Sequence, residues 1–288
     1  MASTIRNPIE WGYDQLRHAA AAIEVTGRAV RGRPDALERA PAVNRINTAD
    51  LKDALAKGIS DFGAARTDVL FLCLLYPAAG LIIARVVFGS GMFALLFPLV
   101  SGFALLGPFV AVGLYEMSRQ REEGHKLSWA TAFDVVRSPS FGAIIMLGVV
   151  LMVLFLLWLS AAEAIYVVTV APLQPNSMTS FITDVFTTTR GWAMIGAGIG
   201  VGFIFALAVF SISVVSFPML IDRDVGLGVA VWTSLRAIRA NPIPMGAWGL
   251  IITAGLVIGS IPLLLGLMIV LPILGHASWH LYRKVVAH

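Results

Sequence analysis

Residues 141–168 read FGAIIMLGVVLMVLFLLWLSAAEAIYVV, and Glu163 is the one charge among them. A helix needs roughly 20 apolar residues to cross about 30 Å of hydrocarbon, so this run is long enough to span. The run is continuous rather than alternating, which argues against a β-barrel strand. Lipid offers no partner to open peptide groups, so the segment must close its hydrogen bonds within itself as an α-helix.

The same reading extends outward. The 288-residue chain is 58% hydrophobic and 13% charged, against about 45–50% and about 25% in soluble domains. The excess begins near Val69. Six spans are expected, at about 69–88, 92–115, 141–168, 192–221, 246–261 and 263–282. The turn Gly89-Ser90-Gly91 joins the first two. The last two meet near Ile261-Pro262, and one long broken helix there would reduce the count to five. The expected fold is all-α, a polytopic membrane helix bundle with a membrane domain over 46–288. Residues 1–45 read as a mobile, charged cytoplasmic tail in which a short helix over Pro8–Val25 is conceivable. The N-terminus MASTIRNPIEWGYD lacks the apolar core of a signal peptide, so insertion is expected to be directed by the spans. Cys73 stands alone and excludes an intrachain disulfide or a multi-cysteine metal site.

Orientation follows from the basic residues. Of the 21 lysines and arginines, only Arg85 and Arg190 fall in the connections or span ends of one side. Both termini are therefore expected in the cytoplasm. The net charge of +4 then has a use beside anionic headgroups, and nucleic acid is not an expected partner.

A repeat precedes the spans. SWATAFDVVRSPSFG begins at Ser128, and VWTSLRAIRANPIPMGAW occupies 231–248. Offset by 103 residues, Trp129 aligns with Trp232, Thr131 with Ser234, Val135 with Ile238 and Pro139 with Pro242. LKDALAKGISDF, from Leu51, is a looser first copy with Leu51, Leu55, Ile59 and Phe62 on one face. The expected unit is an amphipathic interfacial helix, a break and a transmembrane hairpin, repeated three times. Apolar stems enter lipid while basic edges meet headgroups. Proline then stops the flat helix. Pro108, Pro218 and Pro272 suggest kinks late in the second, fourth and sixth spans. Trp129, Trp232, Arg236, Arg239, Trp279, His280, Tyr282 and Arg283 read as interfacial anchors.

Candidate chemistry is sparse. His276 and His280 lie four apart on one helical face, a spacing that can chelate a metal or approach haem iron, but two ligands are too few and the interfacial-anchor reading is stronger. No metal or cofactor is expected. Charges inside spans are functional suspects. Arg85 and Glu163 fall at comparable depth towards the outer leaflet, where they could pair, snorkel or, with Ser213, line a polar route. Gly196/Gly200, Gly198/Gly202 and Gly255/Gly259 have the spacing that lets helices approach. No P-loop, GxSxG elbow, HExxH or CxxC is present, so no enzyme is expected.

NTADLKDALAKGISDFGAARTDVLF, LLGPFVAVGLYEMSRQREEG and GHASWHLYRKVV carry a resemblance. They resemble an uncharacterised proteobacterial family of predicted integral membrane proteins, over roughly 45–288. Its marks are the Gly58/Asp61 spacing, Gly107-Pro108 leading to Tyr115-Glu116, and Trp279 through Arg283. The resemblance implies the bacterial inner membrane and carries no known activity. Some members bear a cytochrome oxidase subunit I label, which this sequence does not support. Two classes of function remain: a non-catalytic scaffold or assembly partner of another membrane protein or a second copy, and a small-solute permease or channel.

Overall fold

The structure, a computed structural model, describes residues 41–73, 78, 80, 82, 85, 93–125, 129–173, 175, 177–262 and 264–287. The described residues are helical throughout, apart from turns and one isolated antiparallel bridge, Val43 to Val286. The helices are α1 (Thr48–Cys73), α2 (Leu96–Phe103), α3 (Gly107–Val110), α4 (Val112–Glu122), α5 (Phe141–Thr169), α6 (Met178–Thr187), α7 (Thr189–Ser213), α8 (Ser216–Asp222), α9 (Leu227–Ala240), α10 (Pro242–Ser260) and α11 (Leu267–Val285).

Among the described residues four helical stretches are long and apolar enough to cross a membrane: Leu96–Glu122, Phe141–Thr169, Thr189–Asp222 and Pro242–Ser260. They coincide with the second to fifth expected spans. The first expected span, 69–88, lies largely outside the described residues, as does the tail over 1–40. The sixth falls on α11, which is not one of the four. Its last turns carry His276, His280, Arg283 and Lys284. The chain breaks between α10 and α11 at 261–266, where Leu264 adopts φ 66°. These are therefore two helices. Gly259 faces Leu267 and Gly255 faces Val270, so they run antiparallel.

The prolines act where their missing N–H and ring clash predict. Pro218 lies four residues after Val214, where α7 gives way to α8. Pro108 lies four after Ala104, where α2 passes into a 3-10 turn. Pro272 lies inside α11 and falls in its second turn.

The three segments expected to form a repeated unit differ in structure. Asn241 separates α9 from α10 with φ −134° and ψ 53°, and Pro242 opens α10. Residues 129–137 are a 3-10 helix rather than an α-helix, stopped before Ser140. The first copy has no break, because α1 runs unbroken from Thr48 to Cys73. Its inward line is also rotated from the expected one. Leu51, Ala54, Gly58 and Asp61 are buried, while Ile59 is exposed. The reason is the close packing of α1 on α11. A Cβ on Gly58 would lie 2.6 Å from both Cβ and N of Ala277. The smallest edge of α1, not its greasiest, faces its neighbour.

The core gathers at one end of the bundle. Trp248, Trp279, Tyr282, Phe217, Met117 and Met245 are fully buried there. Away from it the spans present Val149, Leu156, Phe203, Ile204, Val257 and Ile258 outward, as lipid-facing helices do. Of the small-residue pairs, Gly255/Gly259 meets α11 and Gly202 meets Trp158, but a Cβ on Gly196, Gly198 or Gly200 would touch nothing within 4 Å.

The two ends of the described chain are tied together. Asn44 N donates to Val285 O at 2.8 Å and Ala287 N to Ala42 O at 3.0 Å. Residues 42–44, which the sequence reading assigns to the tail, thus pair with the end of α11. Buried Asn241 accepts from Ile46 N at 2.8 Å and donates to Asn44 O at 2.9 Å and Ala237 O at 3.2 Å. Asn241→Ala strands these groups, and a loss of about 1–3 kcal/mol is expected, measured as a fall in the thermal unfolding midpoint in detergent.

Candidate functional site

The densest polar cluster lies where α1, α4 and α11 meet. Asn47 and Asp50 start α1, with Asn47 Oδ1 accepting from Ala49 N at 2.8 Å and Asp50 Oδ2 accepting from Asn47 N at 2.9 Å. Such reciprocal capping fixes where the helix begins and so the register that turns Asp61 inward. Lys284 of α11 closes the same end of α1 on Asp50 at 3.2 Å and Asp53 at 2.9 Å.

Asp61 is 4% exposed, yet its hydrogen-bond and ion-pair partners favour its charge. Ser118 Oγ donates to its Oδ2 at 2.6 Å, His280 Nε2 lies 2.8 Å from the same oxygen, and the Arg121 guanidinium pairs with Oδ1. Burial by itself raises the Asp61 pKa. The His280 and Ser118 hydrogen bonds and the nearby histidine charge outweigh that and hold it below the ordinary 3.8. Because the folded-state value is depressed, the stabilisation is complete above the unfolded value and is lost as pH falls through the folded one. Unfolding midpoints in detergent should therefore drop on acidification below about pH 4, and Asp61→Asn should flatten that drop.

His280 stands between two acids. Its Nδ1 lies 3.4 Å from Glu122 Oε1 while Nε2 faces Asp61. Glu122 in turn meets Arg283 Nε at 3.1 Å. Arg283 reaches Asp222 at 3.5 Å, and Tyr282 Oη donates to Asp222 at 2.6 Å. The chain of contacts thus runs from α1 through α4 and α11 to the end of α8. A cavity of about 270 Å³ opens onto it, lined by Lys57, Ser60, Asp61, Ser118, Arg121, Glu122 and His280.

His276 lies deeper and is fully buried, its Nδ1 2.8 Å from Ser118 Oγ. Serine has one proton, and here it goes to Asp61. Ser118 Oγ therefore accepts from His276 Nδ1–H. His276 Nε2 has no hydrogen-bond partner among the described residues. The order is acid, serine, histidine. A hydrolytic triad needs histidine in the middle, taking the serine proton, so this arrangement does not activate Ser118. Among the described residues no group of three metal-ligating side chains forms.

The residues singled out from sequence are distributed as follows. Trp279, His280 and Tyr282 are buried inside the protein, and Arg283 is half-buried in ion pairs. Helix α1 packs closely on α11, so these expected anchors contact protein as well. Trp232 and Arg239 are exposed, with the Arg239 guanidinium 5.8 Å from the Trp232 ring centre, and Arg236 beside them is half-buried. The Trp129 side chain lies outside the described residues. Arg85 and Glu163 are both exposed, and no ion pair joins them among the described residues. Ser213 is buried and donates to Val209 O within its own helix at 2.6 Å. These three are not brought together. Sequence reading missed Asp61, Ser118 and Glu122 as site residues.

Residues 96–222 match the family described as "Predicted integral membrane protein (DUF2189)". With its four apolar stretches, the chain is an integral membrane protein. The matched segment contains Ser118, Glu122 and Asp222. It leaves out Asp61, His276 and His280, which α1 and α11 contribute. No curated protein and no solved structure matches the chain.

Proposed function

We propose that the chain is a non-catalytic membrane scaffold of the bacterial inner membrane, with both termini cytoplasmic, that holds or helps assemble a membrane-protein partner. The observation that carries this reading is the closed cluster of Asp61, Ser118, His276, His280 and Glu122. Its side chains bond one another across three helices, with His276 Nε2 alone among them lacking a hydrogen-bond partner among the described residues, and Ser118 is not activated as a nucleophile. The full complement is six spans in three related units, the first built on α1 and the last on α10 and α11. The exposed pair Trp232–Arg239 sits at anionic headgroups on the cytoplasmic face.

The test is co-purification from membranes after cross-linking. A defined partner, or a second copy, should be retained by the full chain and lost on removal of residues 1–40, which leaves the pairing of Ala42 and Asn44 with the end of α11 in place. Unchanged recovery of every partner in the truncated chain would count against the scaffold. A second reading, a small-solute permease, has the cavity beside Asp61 in its favour. A solute flux abolished by Lys57→Ala, at a residue that lines this cavity, at unchanged abundance would decide for it.

A further inference from the structure

The connection between α5 and α7 is longer than a hairpin needs. Residues 170–188 hold a helix of their own, α6, at the end of the bundle away from the polar cluster. Helix α5 starts beside α8, where Ser140 Oγ donates to Arg223 O at 3.3 Å. Its 29 residues then carry it about 44 Å, and a bilayer with its headgroup layers is about 40–45 Å thick. Helix α6 therefore sits at the level of the far headgroups.

It is fixed there rather than hung between the spans. Phe181 packs edge-on against Tyr166 of α5, with ring centres 6.2 Å apart, and Val185 is buried. The start of α7 closes on the end of α6: a Cβ on Gly191 would run into the carbonyl oxygens of Asp184 and Val185. The opposite face of α6 is exposed and split lengthwise. Thr179, Thr183 and Thr187, four apart, line one edge, and Ile182 and Phe186, also four apart, line the other. Trp192, 60% exposed, extends the apolar edge, its Nε1 donating to Phe186 O at 3.1 Å.

The polar groups of this surface are satisfied locally. Ser177 and Ser180 each accept the other's backbone N–H on Oγ at 3.1 Å. Thr183 and Thr187 donate to Thr179 O and Thr183 O at 3.0 and 2.7 Å. Val167 and Val168 at the end of α5 and Ile199 of α7 are exposed on the flanking helices, so the apolar edge continues the lipid-facing surface of the spans. Arg190 is exposed in the first turn of α7 and joins no ion pair among the described residues. A cation there opposes the helix dipole, and a nearby anion offsets it. We propose that α6 and the first turn of α7 dock on phospholipid headgroups of the leaflet opposite the polar cluster. Ile182, Phe186 and Trp192 enter the boundary between headgroups and acyl chains, and Arg190 meets lipid phosphate. The proposal is independent of the scaffold reading, since a scaffold and a permease can both use such a surface.

Spin labels on Ile182→Cys and Thr187→Cys, each in a Cys73→Ser background, test it in nanodiscs of phosphatidylethanolamine and phosphatidylglycerol. Both positions are exposed, so neither label disturbs the core. Collisions are measured with oxygen, which enters lipid, and with a nickel chelate, which stays in water. The oxygen-to-nickel ratio at Ile182→Cys should exceed that at Thr187→Cys by at least about threefold, as a side chain lying about 5–10 Å into the headgroup boundary requires. Equal ratios overturn the proposal, because water then bathes both edges. Shielding of the Ile182→Cys label from both reagents also overturns it, because protein then covers the surface. A second readout leaves the native cysteine in place. The emission lost on Trp192→Phe isolates one indole among seven tryptophans. Phospholipid brominated at the top of its acyl chains should quench that emission, and emission left unquenched overturns the proposal.

Discussion

Asp61→Ala is expected to destabilise the protein by about 3–5 kcal/mol, the cost of removing one partner from a buried ion pair. The substitution leaves Arg121, His280 and Ser118 facing a void at the junction of α1, α4 and α11. Replacing His280 as well should cost much less than the two single losses added together, because His280 Nε2 lies 2.8 Å from Asp61 Oδ2 and each single loss strands the other group. Thermal unfolding of the two single variants and the double variant in one detergent measures this coupling. Additive losses would mean that Asp61 and His280 do not act as a unit.

The second large effect is steric. Gly58→Leu should cost more than the about 1–3 kcal/mol typical of overpacking, because the obstacle is backbone. A Cβ at Gly58 meets N and Cα of Ala277 at 2.6 and 2.8 Å, and no rotamer change relieves that contact. Helix α1 must move away from α11, which drags Asp61 off His280 and Ser118. Gly63→Ala, five residues along the same helix, serves as control. A Cβ there touches nothing within 4 Å, and alanine is favoured over glycine inside a helix by about 1 kcal/mol. The first variant should melt well below the wild type and the second at or slightly above it.

These two positions also show how far the sequence could be read. Apolar runs mark spans because lipid imposes length and continuity on any helix that crosses it. Asn241-Pro242 marks a break because proline limits its neighbour and lacks a donor, and α9 ends there. The hairpin near Ile261 was visible for the same local reasons. The polar cluster was not visible, because its members are far apart in the chain. Ser118 is 57 residues from Asp61 and 158 from His276, and His280 is 219 from Asp61. No periodicity couples such positions. Gly58 three residues before Asp61 is the local trace of it, a small residue that admits a neighbouring backbone just before a buried acid. Trp279 and Tyr282 resembled interfacial anchors because tryptophan and tyrosine at the end of a hydrophobic run usually are. Gly275, Ala277 and Ser278 beside them point the other way, since small residues let another helix close over the aromatic rings. The rotated face of α1 has the same origin: close packing selected its smallest edge, and hydrophobicity alone pointed to Ile59.

The central claim is that apolar helices stand in lipid while the Asp61 cluster closes their base on the cytoplasmic side. Lys57 lines the cavity at that base. The most direct measurement is labelling of Lys57→Cys, in a Cys73→Ser background, by a membrane-impermeant thiol reagent applied to right-side-out and inverted membrane vesicles. The account predicts labelling in inverted vesicles alone; labelling of right-side-out vesicles would contradict it.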